Sequence, residues 1–217
     1  MIFPNLKGKK FGYVNLDLEA VLWRANKGSK TNPLNNPDVC NQFILDVHKK
    51  YNIDFSYGGW MEDRATLWQD SYLELEKKFN HLGLDINVPQ DEPVAVDFNA
   101  LVVRIDDDYP TNGGWGPRVI LKNLEKDVYI LYAHLDRDIS CKVGDVLSVG
   151  QVFAKVGHAP ENGNWFPHVH VQVIESEYFE YLKKEDDWEQ FDGYGFKENI
   201  AVDSLRHPDP LQFIKLD

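Results

Sequence analysis

The segment Pro167-His168-Val169-His170-Val171-Gln172-Val173 constrains the fold most, because apolar and polar residues alternate in it with a strict period of two. That period belongs to a β-strand. Val169, Val171 and Val173 load one face for burial in a core. His168, His170 and Gln172 take the other face, so two imidazoles stand side by side at a spacing that a strand provides. Pro167 lacks an N–H and suits the first position of such a strand. Alone, a His-x-His pair is equally a polar pair on a solvated strand face.

From about residue 78 onward, short alternating segments are separated by Gly, Pro, Asn and Asp, the pattern of an antiparallel sheet protein. Strands are expected at 82–88, 93–97, 100–106, 118–123, 128–134, 146–148, 151–156 and 168–174, with a long connection over 106–116. Upstream, Asn35-Asn36-Pro37-Asp38 reads as a helix start with an Asn cap, Pro in the first turn and an acid near the positive dipole end. Val39, Phe43, Ile44 and Val47 follow at helical spacing, which predicts a helix over 37–50. Further helices are expected near 177–184 and 209–214, and an irregular arm or short hairpin over the first 35 residues. The Gly59–Arg64 run is either one edge of a cleft or a packed loop, and Glu185-Asp186-Asp187 reads as a solvated face. The expected fold is mainly β, an antiparallel sheet of barrel-sandwich character with a few peripheral helices. Residues 1–75 would be an arm and helix packing on or covering a domain of residues 76–217, whose C-terminal part is a helical extension.

The 217 residues carry a formal net charge of −12, which argues against nucleic acid and anionic lipid surfaces as partners. No apolar run follows the basic residues at the start, and none approaches membrane-spanning length, so neither a secretory leader nor a membrane partner is expected. Cys40 and Cys141 lie far apart and read as free thiols of a reducing compartment. A cytoplasmic protein is the expectation.

Two further segments carry chemistry. In the strand expected at 82–88, His81, Gly83 and Asp85 share the face opposite Leu82, Leu84 and Ile86. An imidazole and a carboxylate flanking a gap suit a divalent metal, although a surface His and a surface Asp would look the same. In Val128–Leu135, His134 ends a strongly β-forming run, on the same face as Tyr132 by alternation. A lone His there is more often a structural or surface residue than a catalyst, and Tyr132 either hydrogen-bonds near a site or packs beside the sheet.

Taken in order, His81-x-Gly83-x-Asp85, Tyr132-x-His134-Leu135 and Pro167-His168-x-His170 resemble the lysostaphin-type, LytM-like zinc endopeptidases. Between the last two, Gly144-Asp145 through Gly150-Gln151 to Gly157 looks like the turn-and-strand unit of that family, with one extra residue before Gly150. The resemblance covers about residues 78–175. It implies Zn2+ held by His81, Asp85 and His170, with the fourth position left to water. It also implies that His134 and His168 flank that water and the scissile carbonyl, as base, oxyanion stabiliser or proton donor. The implied substrate is a peptide or peptidoglycan fragment. Val169 stands where the family usually has Leu, and the 157–166 loop is aromatic where the family often has a short Gly/Ser/Thr-rich turn; such a loop would wall the cleft. His158, within that loop, reads as a solvent-exposed residue. Absence of a leader puts cell-wall material in question as substrate.

Two other classes fit parts of the chain. A non-catalytic LytM-like binding or activator module would keep the metal site for structure. A phosphocarrier or lipoyl-like module would explain the Gly144–Gly150 hairpin but gives no reason for Asp85 beside His81. The 1–75 region could also cross the cleft and cover the metal, as in latent relatives.

Overall fold

A computed structural model describes residues 1–30, 32–69, 73–109, 113–185 and 191–217. Strand β1 (Phe11–Tyr13) leads into helix α1 (Leu16–Lys27), followed by α2 (Pro37–Tyr51), β2 (Phe55–Gly58) and the short α3 (Leu73–Glu76). Next come β3 (Asn80–His81), β4 (Leu84–Asn87), β5 (Pro93–Ala95), β6 (Ala100–Asp107), β7 (Pro117–Asn123) and β8 (Val128–Ala133). The remainder is β9 (Val146–Leu147), β10 (Val152–Lys155), β11 (Val169–Glu175), α4 (Ser176–Glu185), β12 (Tyr194–Gly195) and α5 (Ile200–Arg206).

The main sheet runs β1-β2-β4-β11-β8-β7-β6-β9, with β10–β5 and β12–β3 as two small additional sheets. The mainly β architecture with peripheral helices is the one expected. One correction applies. The sheet is mixed, because β1 lies parallel to β2 whereas the other pairs are antiparallel.

β11 sits between β4 and β8, so both of its edges are hydrogen-bonded. Val169, Val171 and Val173 join Leu84, Ile86, Ile130 and Tyr132 in the largest core cluster, with Ile2 and Phe3 from the N-terminus. The opposite face is also buried, at His168, His170 and Gln172, rather than solvated as a half-buried strand would be. The strand expected at 82–88 is broken at Leu82-Gly83 into β3 and β4.

The described residues of the N-terminal 35 form more regular structure than an irregular arm. Asn15 caps α1 by accepting from Leu18 N, and Gly28 ends it in the left-handed region. Helix α2 forms as expected, with Asn36 accepting from the amides of Asp38 and Val39. It buries Cys40, Phe43, Ile44 and Val47 in a second cluster with Leu16, Leu34, Leu67, Trp68 and Phe166. Cys40 and Cys141 are both free. The helix expected at 209–214 is only a 3-10 turn at Pro210–Gln212, capped by Asp209, which accepts from Leu211 N; α5 precedes it. Asp186 and Asp187 of the acidic run, and part of the 106–116 connection, lie outside the described residues. Among the described residues, no helix is long and apolar enough to cross a membrane.

Candidate metal centre

Three elements deliver three ligand atoms to one point. His81 comes from the end of β3, Asp85 from β4 and His170 from β11, where it lies directly across from Asp85. His81 Nε2 is 3.3 Å from Asp85 Oδ1, His170 Nδ1 is 2.9 Å from the same oxygen, and the two nitrogens are 3.1 Å apart. A tetrahedral zinc with bonds near 2.0–2.1 Å separates its ligand atoms by about 3.3 Å, so the triangle has the size that a zinc site needs.

The outward-facing nitrogens fix which atoms point inward. His81 Nδ1 donates to the carbonyl of Gly59 at 3.0 Å, which leaves Nε2 as a lone pair. His170 Nε2 lies 2.9 Å from Gln172 Oε1, and the Gln172 amide nitrogen is used on the carbonyl of Asp192, so Nε2 donates and Nδ1 is a lone pair. With both rings in these neutral tautomers, two imidazole lone pairs and a carboxylate oxygen converge on one point. That donor set repels itself without a cation and fits one well. All three residues are buried. Burial, then the Arg64 charge, push His81 down to about 4, which keeps it neutral for ligation. Burial alone would raise Asp85, but its surroundings, the buried Arg64 guanidinium among them, outweigh it and hold the carboxyl well below its usual range.

Gly83 does not leave the open gap that the sequence indicates. The His170 ring fills it, and a Cβ at position 83 would lie 2.4 Å from His170 Nε2. His134 and His168 stand beside the trio. His168 Nδ1 donates to Phe166 O at 2.8 Å and its Nε2 faces Asp85 Oδ1 at 3.9 Å. His134 Nδ1 donates to Asn162 O at 2.9 Å, and its ring centroid is 4.4 Å from that of His168. His134 follows the last residue of β8 with φ of 62°, which swings it off the Tyr132 face. Tyr132 itself points into the opposite core against Phe153 and takes no part in the site, correcting the shared face read from alternation. His158 is half-buried and turned onto its neighbour's carbonyl, away from the ligands.

A cavity of about 90 Å³ adjoins the centre. Its walls include Trp115, Trp165 and Phe166, with Leu16, Leu34, Leu67 and Trp68 from the N-terminal part. The aromatic 157–166 loop does wall the cleft, as the sequence indicates. The Gly59–Arg64 run, read as a cleft edge or a packed loop, brings Arg64 to the cavity lining, but sequence reasoning missed that Arg64 donates to Asp85 Oδ2 at 2.5 Å and that the Tyr194 hydroxyl meets the same guanidinium at 3.1 Å. It also missed the role of Gln172, although the alternation that placed His168 and His170 on one face placed Gln172 there too.

Residues 79–181 match the model of peptidase family M23. No curated protein matches the chain. Among solved structures, the catalytic domain of the antimicrobial peptidase lysostaphin from Staphylococcus simulans is 20% identical, with a TM-score of 0.43 over 62% of this chain and 79% of that one. The catalytic domain of a mutant of the prophage-encoded M23 protein EnpA from Enterococcus faecalis is 24% identical, with a TM-score of 0.43 over 56% of this chain and 81% of that one. A zinc-containing peptidase from Vibrio cholerae is 24% identical over 45% of this chain, with a TM-score of 0.39; the match spans only 28% of that longer chain.

Proposed function

We propose that this protein, whose residues 79–181 match the model of the zinc-dependent peptidase family M23, is a zinc metallopeptidase that hydrolyses an amide bond in a peptide. The observation that carries the proposal is the triangle of His81 Nε2, Asp85 Oδ1 and His170 Nδ1, three proton-free donors at tetrahedral spacing. Zinc held there would supply Lewis acidity, polarising a carbonyl and making water a better nucleophile near neutral pH.

The chain's own residues supply the rest. His134 and His168 each commit Nδ1–H to a backbone carbonyl, so each keeps its Nε2 lone pair as the free position on the ring. Burial holds both below the ordinary histidine value, so both are neutral and able to take a proton at neutral pH. One accepts the proton of the attacking water at Nε2. A histidine so protonated then stabilises the oxyanion or returns the proton to the leaving amine. Trp115, Trp165 and Phe166 exclude bulk water and present apolar walls to the substrate backbone. A peptide or a peptidoglycan fragment is the proposed substrate class, and the proposed setting is the cytoplasm, on the sequence reading above.

A second reading is favoured by one observation. The cavity of about 90 Å³, lined in part by Leu16, Leu34, Leu67 and Trp68, is small beside a peptide-sized pocket. A binding module that keeps the metal for structure would look the same. Incubation with a panel of wall-derived and glycine-rich peptides, following release of new amines, separates the two. Hydrolysis abolished by a chelator and restored by zinc supports the peptidase. A zinc-loaded protein that cleaves nothing in the panel, yet captures one of those peptides, supports the module.

A further inference from the structure

Arg64 lies outside the M23-matched residues, in the connection between β2 and α3. The chain pins that connection to the start of the matched domain. Met61 N donates to His81 O at 2.7 Å, His81 N to Glu62 O at 2.9 Å, and Arg64 N to Phe79 O at 2.9 Å. The Arg64 side chain is only 1% exposed. Its Nε donates to Glu62 Oε2 at 3.0 Å, and its Nη1 reaches both Asp85 Oδ2 and the Tyr194 hydroxyl. Gly58 lies directly across from Asp85, and a Cβ there would sit 2.8 Å from Arg64 Nη2. The absence of a side chain at 58 makes the room that the guanidinium occupies.

From this geometry we propose that Arg64 is a positioning residue for the metal: by occupying Asp85 Oδ2 it fixes the carboxylate so that only Oδ1 meets the ion. The inference rests on the zinc reading above. A carboxylate with both oxygens free can rotate about its terminal bond or offer both to a cation. One oxygen held by a rigid guanidinium does neither. A second positive charge near a metal ion would ordinarily weaken its binding. Glu62 cancels that charge at 3.0 Å, so the pair orients Asp85 at little electrostatic expense. Partners of this kind, behind the ligands, typically set metal affinity by ~10–100-fold.

The same connection also holds the second ligand, since its Gly59 carbonyl accepts from His81 Nδ1. Two of the three ligands are therefore oriented from outside the family domain, and that domain alone lacks part of its metal-orienting shell.

The test is zinc affinity of the full chain, by competition with a chromophoric chelator, beside the visible spectrum of the cobalt-substituted protein. Arg64→Gln is expected to weaken zinc by ~10–100-fold and to alter the cobalt spectrum, at unchanged stoichiometry when saturated. Arg64→Lys, which keeps the charge but not the fork, is expected to fall between Arg64→Gln and wild type. Gly58→Ala keeps every charge, displaces the guanidinium, and is expected to weaken zinc in the same direction. Wild-type zinc affinity in folded Arg64→Gln and Gly58→Ala would overturn the inference and leave the zinc reading intact. If Arg64→Gln does not fold, Gly58→Ala decides alone. Failure of the wild type to bind zinc at all would instead overturn the zinc reading itself.

Discussion

His134 and His168 lie with ring centroids 4.4 Å apart, and each spends its Nδ1 proton on a backbone carbonyl. Neither is a ligand of the trio. Replacing either with Ala is expected to lower kcat/KM on a cleaved peptide by ~10²–10⁴-fold, the usual worth of acid–base help. Zinc content should remain that of wild type in both variants. Loss of zinc together with activity would place the altered histidine among the ligands.

Gly83→Ala is expected to expel the metal. The new Cβ would lie 2.4 Å from His170 Nε2 and 2.7 Å from the carbonyl oxygen of Val171, so both the ring and the strand must shift. Overpacking of this kind costs about 1–3 kcal/mol in stability. Calorimetry and elemental analysis of the variant check both effects; full zinc occupancy would show that His170 tolerates the displacement.

The N-terminus is part of the core. Ile2 and Phe3 are fully buried in the largest cluster, and Ile2 N donates to Lys215 O at 3.0 Å. Phe3→Ala should therefore destabilise the fold by roughly 3–5 kcal/mol in urea unfolding. Removing residues 1–35 would strip Ile2, Phe3, Leu16 and β1 as well. The expected outcome is a destabilised chain rather than an unmasked enzyme, and a truncated protein with wild-type stability would contradict this.

Acid should weaken the fold through His207. Its ring is buried against Tyr178 and Phe191, and burial pushes it down to about 4. Only the unfolded chain then takes up a proton as the pH falls below about 6.5. Stability is unaffected above that value and is lost progressively towards pH 4, on the order of 3 kcal/mol over the window. His48, also lowered by burial, adds a loss of the same sign. Urea midpoints at pH 7.5 and 4.5 should fall further apart in wild type than in His207→Gln. An equal gap in the two would refute the assignment to His207.

Strand β11, which carries His170 and directly follows His168, was legible because alternation over seven residues admits one backbone geometry. Helix α2 was legible from the Asn36-Pro37 start and its apolar spacing. Helix α1 was not, because its buried residues are Leu16, Glu19 and Ala20, whereas Leu18, Val21 and Leu22 are exposed, so no single apolar stripe marks it. Helix α5 buries only Asp203 and gives no stripe either. His134 was placed on the wrong face because a left-handed residue after a strand breaks the alternation, and no local pattern announces it. Arg64 meets Asp85 across 21 residues of sequence through a loop, and periodicity carries no information about such a contact. The three converging ligands could be named from the resemblance, but the tautomers that leave their lone pairs inward depend on Gly59 O and Gln172 Oε1, which only the folded chain brings there.

The central claim is that His81, Asp85 and His170 hold one zinc ion, and metal content tests it most directly. Elemental analysis of the freshly purified full chain should find about one zinc per molecule, lost in His81→Ala and in Asp85→Ala. A folded wild-type chain that contains no zinc and takes up none when zinc is supplied would contradict the account.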